Sequence, residues 1–319
     1  METRELIAWG AGGMVAGGDV HGERYQYFNL ASGLRLDMDE AQARTSAAWT
    51  IGVKRSVICV NSGVAGPGAA RLACVTPPVD VSREEFARLT GDDFKKRFDA
   101  VTGVPDGAEF REEGVEPAIF GWRERRGERW AAPAGKGWKL RLADGESFAK
   151  MRIRAIGDDT LTVTIEYAYQ PAKEAPLTED RQATIRPGEA FSFRRGAAAA
   201  AEALGWDLLH GGEKLFLNSS VSGPGRAGAL GSNKYGALWK TITSAGDSVA
   251  YFMDEFGEAF RSPKWYRYNI DGKHNIHPNG AVYVLRAPEG DFKIQIYHYD
   301  FFDTEDPAKG SLRLRYARL

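Results

Sequence analysis

Only two of the 319 residues are cysteine, Cys59 and Cys74. So few thiols exclude a disulfide scaffold as the basis of the fold. Without a Cys-x-x-Cys pair there is no signal for a structural zinc site either. Cys59 closes a strand-like run and Cys74 lies just past a Gly-Pro-Gly turn, so a bridge between them is geometrically open. Two small buried thiols are the simpler reading. Charge of one sign is also missing, since 42 basic side chains face 43 acidic ones and the net charge is −1. That balance supplies no broad basic field and argues against nucleic acid or an anionic membrane as partner. No apolar run approaches the roughly 18 residues that span a bilayer. The opening stretch, Met1 to Gly10, puts two acids ahead of its apolar part and then breaks it with glycine, so it does not read as a signal peptide. Either the protein stays inside, or an export segment precedes this form of it.

Catalytic motifs are absent as well. There is no Gly-x-Ser-x-Gly elbow, no His-Glu-x-x-His and no Walker lysine. The acidic pairs Asp158-Asp159 and Glu179-Asp180 fall in turn or linker sequence and read as solvated. The chain therefore reads as non-enzymatic.

What is present is a repeat. Asn61-Ser62-Gly63-Val64-Ala65-Gly66-Pro67-Gly68 returns as Asn218-Ser219-Ser220-Val221-Ser222-Gly223-Pro224-Gly225, six of the eight positions being identical. Each copy stands twelve residues after a tryptophan, Trp49 or Trp206, across a strand-like run. The shared spacing of 157 residues is far beyond the roughly 20–50 of a solenoid repeat and implies a duplicated domain. Later in each half come a tryptophan (Trp130, Trp265), a glycine turn (Asp144-Gly145, Glu289-Gly290) and a short Phe/Lys strand (Phe148–Ile153, Phe292–Ile296). A closing strand follows in each, Thr164–Tyr169 and Arg313–Arg318. The glycines of the repeated loops are expected to allow sharp turning with positive φ. Asn61 and Asn218 are expected to hydrogen-bond the backbone of their own loops.

Composition supports two packed cores, with 43% hydrophobic residues. The boundaries read as one domain over 1–171, a linker over 172–186 with Pro171 and Pro176 at its start, and a second domain over 187–319. Short runs of β-branched and aromatic residues between glycine turns predict mainly β structure. The exception is Val81–Val101, where Ser82 and Glu85 form a capping box and Phe86, Leu89, Phe94 and Phe98 recur at helical spacing. Val249–Gly257 is expected to be its shorter counterpart.

With Trp206-Asp207 leading to Asn218–Gly225, and Pro288–Ile294 leading to Ser311–Tyr316, the chain resembles the HmuY-like haem-binding family. Thr50 stands where the second copy has Asp207. The resemblance implies two tandem, mainly β, HmuY-like domains with minor helix. It also implies haem as cofactor and a receptor protein as partner in iron acquisition, in a family usually exported to the cell envelope.

Haem iron takes His, Met, Cys or Tyr as axial ligand. Of the five histidines, His21, His210, His274, His277 and His298, three lie in the last fifty residues. The second domain is thus the expected haem site and the first is expected to have none. His274 and His277, in a glycine-bounded loop, are the candidate iron ligands, with Met253 in reserve and Trp265, Tyr266 and Tyr268 as flat walls. His210 and His298 are expected to be structural, His298 on the core face with Phe292, Ile294 and Ile296. Two alternatives stand beside this reading. One is a carbohydrate-binding module; the other is a structural subunit of a larger assembly that keeps the fold without haem.

Overall fold

A computed structural model describes residues 2–9, 24–157, 161–200, 205–248, 250–261, 263–300 and 310–319. Strands dominate, and the longest helix among these residues is Gly91–Asp99. The expected helix over 81–101 is two helices, Arg83–Phe86 and Gly91–Asp99. Ser82 and Glu85 do form the expected capping box, but Thr90 and Asp93 form another, so the chain restarts at Thr90. The expected counterpart at 249–257 is not helical over its described residues; Glu255–Phe256 is a short strand.

The chain forms two compact units, and their limits differ from the expected 1–171 and 187–319. One, here the split unit, combines the described residues up to Gly114 with Phe256–Leu319. The other, the inserted unit, takes Val115–Glu255. Strand pairing gives the physical reason. In the split unit an antiparallel sheet runs Arg4–Trp9, Ser311–Arg318, Gly290–Asp300, Val282–Ala287, Arg71–Thr76. In the inserted unit the equivalent order is Arg181–Ile185, Val163–Gln170, Phe148–Ile156, Gly137–Arg141, Gly228–Ser232. Each sheet therefore joins strands from both sequence copies: Arg71–Thr76 pairs with Val282–Ala287, and Gly228–Ser232 with Gly137–Arg141. The two copies have exchanged their last three strands. The segment expected as linker is only partly one, because Arg181–Ile185 is the edge strand of the inserted unit's sheet.

A four-stranded sheet completes each unit. Its order is Leu34–Leu36, Gln26–Asn29, Ile51–Lys54, Val57–Val60 in one and Ala197–Ala199, Ala190–Ser192, Leu208–His210, Leu215–Leu217 in the other. The inner faces of both sheets share one core per unit, through Ile51, Val60, Leu72, Ile294 and Leu314 in the split unit and Leu208, Leu217, Leu140, Met151 and Ile165 in the inserted one. The outer face of the split unit's larger sheet packs Val282, Val284 and Ala317 against Phe98 and Val101. Lys293, on that face, buries its stem and donates to Phe98 O (3.0 Å) and Val101 O (2.9 Å), capping the end of the Gly91–Asp99 helix. Lys150 likewise donates to Trp239 O at 3.0 Å, in the short 3-10 helix Trp239–Thr241. The lysine of the repeated Phe/Lys strand thus donates to a helix carbonyl in both units.

The repeated loops are locked alike. Asn61 Nδ2 donates to Trp49 O at 2.8 Å and its Oδ1 accepts from Gly68 N at 2.9 Å. Asn218 Nδ2 donates to Trp206 O at 2.9 Å and its Oδ1 accepts from Gly225 N at 2.9 Å. Both asparagines bond their own loops as expected, and also hold the tryptophan strand twelve residues earlier. Positive φ falls on Gly63 as expected, while the Gly-Pro-Gly glycines serve close approach. A Cβ at Gly68 would lie 2.5 Å from Asn61 Cγ, and one at Gly223 would lie 2.3 Å from Asn218 Oδ1. In the second loop the equivalent left-handed position is held by Ser220, φ +45°. The pair Thr50 and Asp207 also share one task, accepting Leu30 N (3.3 Å) and Phe193 N (2.9 Å).

A buried carboxylate braces each loop. Glu113 accepts amides of Val60, Gly114, Gly257 and Ala259 at 2.8–3.2 Å. Asp254 accepts Ala118 N (2.9 Å), Leu217 N (2.8 Å) and Ser222 Oγ (2.7 Å). Burial outweighs these donors and pushes the Asp254 carboxyl up to about 7. Both cysteines are free thiols, Cys59 buried and Cys74 half-buried.

Two consequences are measurable. Asn61→Leu or Asn218→Leu leaves buried carbonyl and amide groups without partners and should lower unfolding free energy by about 2–4 kcal/mol; unchanged denaturation midpoints would show that these amides do not hold the loops. Asp254 titrates near 7 folded and near 3.9 unfolded, so the folded chain holds the extra proton between those values. Its contribution to stability therefore declines as pH rises from about 4 to about 7 and is flat outside that window. Thermal unfolding of Asp254→Asn across that range should lack this component, and a slope equal to the wild type would contradict it.

Candidate functional site

The candidate site is built on a hairpin in the split unit. Tyr266–Tyr268 pairs with Ile276–Pro278, placing Arg267 opposite His277. The connecting loop takes left-handed backbone at Asn269, Gly272 and His274, a density of rare conformations that side-chain bonds stabilise. Asn269 Oδ1 accepts His274 N at 2.9 Å, Asp271 Oδ1 accepts Lys273 N at 2.9 Å, and Asp271 Oδ2 accepts Asn275 Nδ2 at 2.7 Å. The Lys273 amide first, then Asn275 and His277, hold the Asp271 carboxyl down to about 2. It is a permanent anion at neutral pH.

Against this hairpin lies a cavity of about 590 Å³. Phe86 and Phe94 from the two short helices, Leu89 from the link between them, and Pro278 give it apolar wall, and Arg83 and Lys273 bring positive charge. Tyr297 also lines it, its phenol pushed up to about 12, chiefly by burial, and so neutral. His277 faces the same cavity; its Nε2 is shut off from solvent and makes no hydrogen bond, with Asp271 Oδ2 3.4 Å away. Ligation through this nitrogen would require the ring to turn from Asp271 toward the cavity. The carboxylate beside it competes for the same atom.

The other expected site residues are placed differently. His274 does not line the cavity; its Nδ1 meets the Tyr268 hydroxyl at 2.9 Å on the exposed side of the loop. Tyr268 is 59% exposed, so it walls nothing. Trp265 is a core residue, packed on Tyr266 and Tyr299, with its indole N–H donating to Ser56 O at 3.2 Å. Met253 belongs to the inserted unit and not to the unit that carries the hairpin. His210 is structural, as expected: Nε2 meets Leu161 O at 2.7 Å, Nδ1 accepts Gly212 N at 3.1 Å, and burial lowers its pKa. His298 departs from expectation. A bulge between Ile296 and His298 shifts the register, and Tyr299 joins the core in its place. His21 lies outside the described residues.

Sequence reasoning missed Arg83, Lys273 and Tyr297 as cavity residues. The helical spacing of Phe86, Leu89 and Phe94 implies one helix over Val81–Val101 and gives no sign of a cavity beside them. The capping signal at Thr90 and Asp93 is the available clue that the helix restarts there and leaves a break at Leu89.

No protein-family model matches the chain, and no curated protein matches it. Among solved structures it is similar to a candidate HmuY-like heme-binding protein from Bacteroides vulgatus, at 8% identity and a TM-score of 0.35, over 98% of this chain and 90% of that one. A likeness at that level carries no inference about ligand.

Proposed function

We propose that the cavity beside the Tyr266–Pro278 hairpin takes haem or a related tetrapyrrole, with His277 as axial ligand, and that the protein is a non-enzymatic carrier. One observation supports this above the others: His277 lines a cavity with aromatic and aliphatic sides, and its buried Nε2 has Asp271 Oδ2, 3.4 Å away, as its polar neighbour. The volume, about 590 Å³, falls within the roughly 300–1,000 Å³ of small-molecule sites. Among the described residues no group of three or more His, Cys, Asp or Glu is arranged to hold a metal ion. A porphyrin brings four nitrogens of its own, so a single imidazole fits a macrocycle better than a bare cation. The tetrapyrrole would supply the iron. The chain would orient it through His277, shield its faces with Phe86, Leu89 and Phe94, and meet its carboxylates with Arg83 and Lys273. His274 becomes a second axial candidate only if its ring leaves the Tyr268 hydroxyl. Transfer to a receptor protein belongs to the same reading.

The Asp271 Oδ2 contact at 3.4 Å favours a second reading, in which His277 is a structural ion-pair partner and the chain serves as a subunit that keeps the fold without a ligand. Hemin titration of the full chain separates the two. The carrier reading expects a saturable Soret shift. His277→Ala should alter its position or abolish it, Arg83→Ala/Lys273→Ala should weaken affinity about tenfold, and His274→Ala should leave the spectrum as it is. A wild type that gives no Soret shift, and that co-purifies with a partner protein, would replace the carrier with the subunit.

A further inference from the structure

We infer a second ligand site on the smaller sheet of the split unit, built for a small multivalent oxyanion such as a hydroxylated polycarboxylate or a phosphate compound. It is a polar cavity of about 590 Å³. Four cationic side chains line it, Arg24, Arg35, Lys54 and Arg55, against two carboxylates, Asp37 and Asp39. Asp39 is already engaged as the cap of the Glu40–Ala43 helix, accepting Gln42 N at 2.8 Å. The cations come from three places in the fold: the approach to Gln26–Asn29, the Leu34–Leu36 strand, and the turn joining Ile51–Lys54 to Val57–Val60. Lys54 is only 4% exposed, with its ammonium 5.3 Å above the Tyr25 ring.

The duplicated fold provides an internal control. Phe28 pairs with Ile51 and Arg35, and Phe191 pairs with Leu208 and Ala198 in the same arrangement. That register equates Arg35 with Ala198, Arg24 with Pro187, and Lys54-Arg55 with Gly211-Gly212. The inserted unit thus builds the same sheet with none of the four charges, so the architecture does not require them. Arg55 sharpens the point. It adopts φ +53° where its equivalent Gly212 has φ +83°, a backbone region that glycine enters freely and arginine does not. A strained arginine kept at a turn is a recurrent mark of a binding position.

The lining also specifies the ligand. Guanidinium groups match carboxylate and phosphate oxygens in bidentate fashion, and several of them suit more than one negative charge. Gln26 donates its amide to Trp9 O, which fixes the amide's orientation and leaves Oε1 buried without a hydrogen-bond donor. That oxygen calls for a ligand hydroxyl.

Calorimetric titration of the full chain at low salt tests the site with three probes: citrate, tricarballylate (citrate without its hydroxyl) and inorganic pyrophosphate. The expected result is saturable one-to-one binding that weakens as salt is added. Citrate ahead of pyrophosphate identifies a carboxylate ligand and the reverse order a phosphate ligand; citrate ahead of tricarballylate reports the Gln26 contact. Arg35→Ala/Arg55→Gly installs the residues that the inserted unit carries. It should leave the unfolding temperature unchanged or raised and weaken the anion about tenfold or more, while hemin titration stays as in the wild type. Absence of saturable binding to the wild type, or undiminished binding by the folded double variant, would overturn the site.

Discussion

A buried asparagine amide holds each unit together at the point where its two sheets meet. Asn61 and Asn218 face a carbonyl on the tryptophan strand and an amide at the end of the glycine loop. Both are fully buried, so neither bond can be exchanged for water without cost. The loop closes over the amide tightly enough that glycine is required by contact distance alone. From that fixed corner the chain continues into the strand that pairs across to the other sequence copy. Glu113 and Asp254 brace the same corner from outside, each accepting backbone amides that the loop leaves unpaired. In each unit a buried asparagine and a buried carboxylate thus hold the repeated motif from two sides.

The exchange of three strands between the copies follows from what this corner leaves open. Arg71–Thr76 and Gly228–Ser232 leave their loops as strands that need an antiparallel neighbour. Hydrogen bonding and face alternation are satisfied equally by the matching strand of either copy, because the two are alike. A boundary inferred from self-similarity is therefore a boundary of the repeat, and the compact unit is a separate matter. One consequence concerns the candidate site. The hairpin with His277 and the helices with Phe86 and Phe94 are far apart in sequence, yet they line one cavity within the split unit.

Duplication also lets the units differ in chemistry while sharing a frame. The inserted unit places Ala198, Gly211 and Gly212 where the split unit places Arg35, Lys54 and Arg55, and uses both nitrogens of His210 for backbone bonds. In the split unit the cavity-lining charges and the imidazole of His277 lie outside the Asn61 framework. They can vary without disturbing it.

The sequence by itself determined the mainly β class, the duplication, the paired asparagine locks and the first capping box, because each depends on neighbours close along the chain or on a motif written twice. It also marked His274 and His277 together as candidates, and only the tertiary structure separates them, His277 lining the cavity and His274 bonded to Tyr268. Tertiary structure alone decided which strands pair, since matching strands carry nearly the same alternation and nothing local chooses between them. It moved Trp265 into the core, left Tyr268 and His274 bonded to each other at the surface, and assigned Met253 to the other unit. The bulge after Ile296 reversed the faces of His298 and Tyr299. A one-residue slip is invisible to a period-two pattern until the partner strand is known.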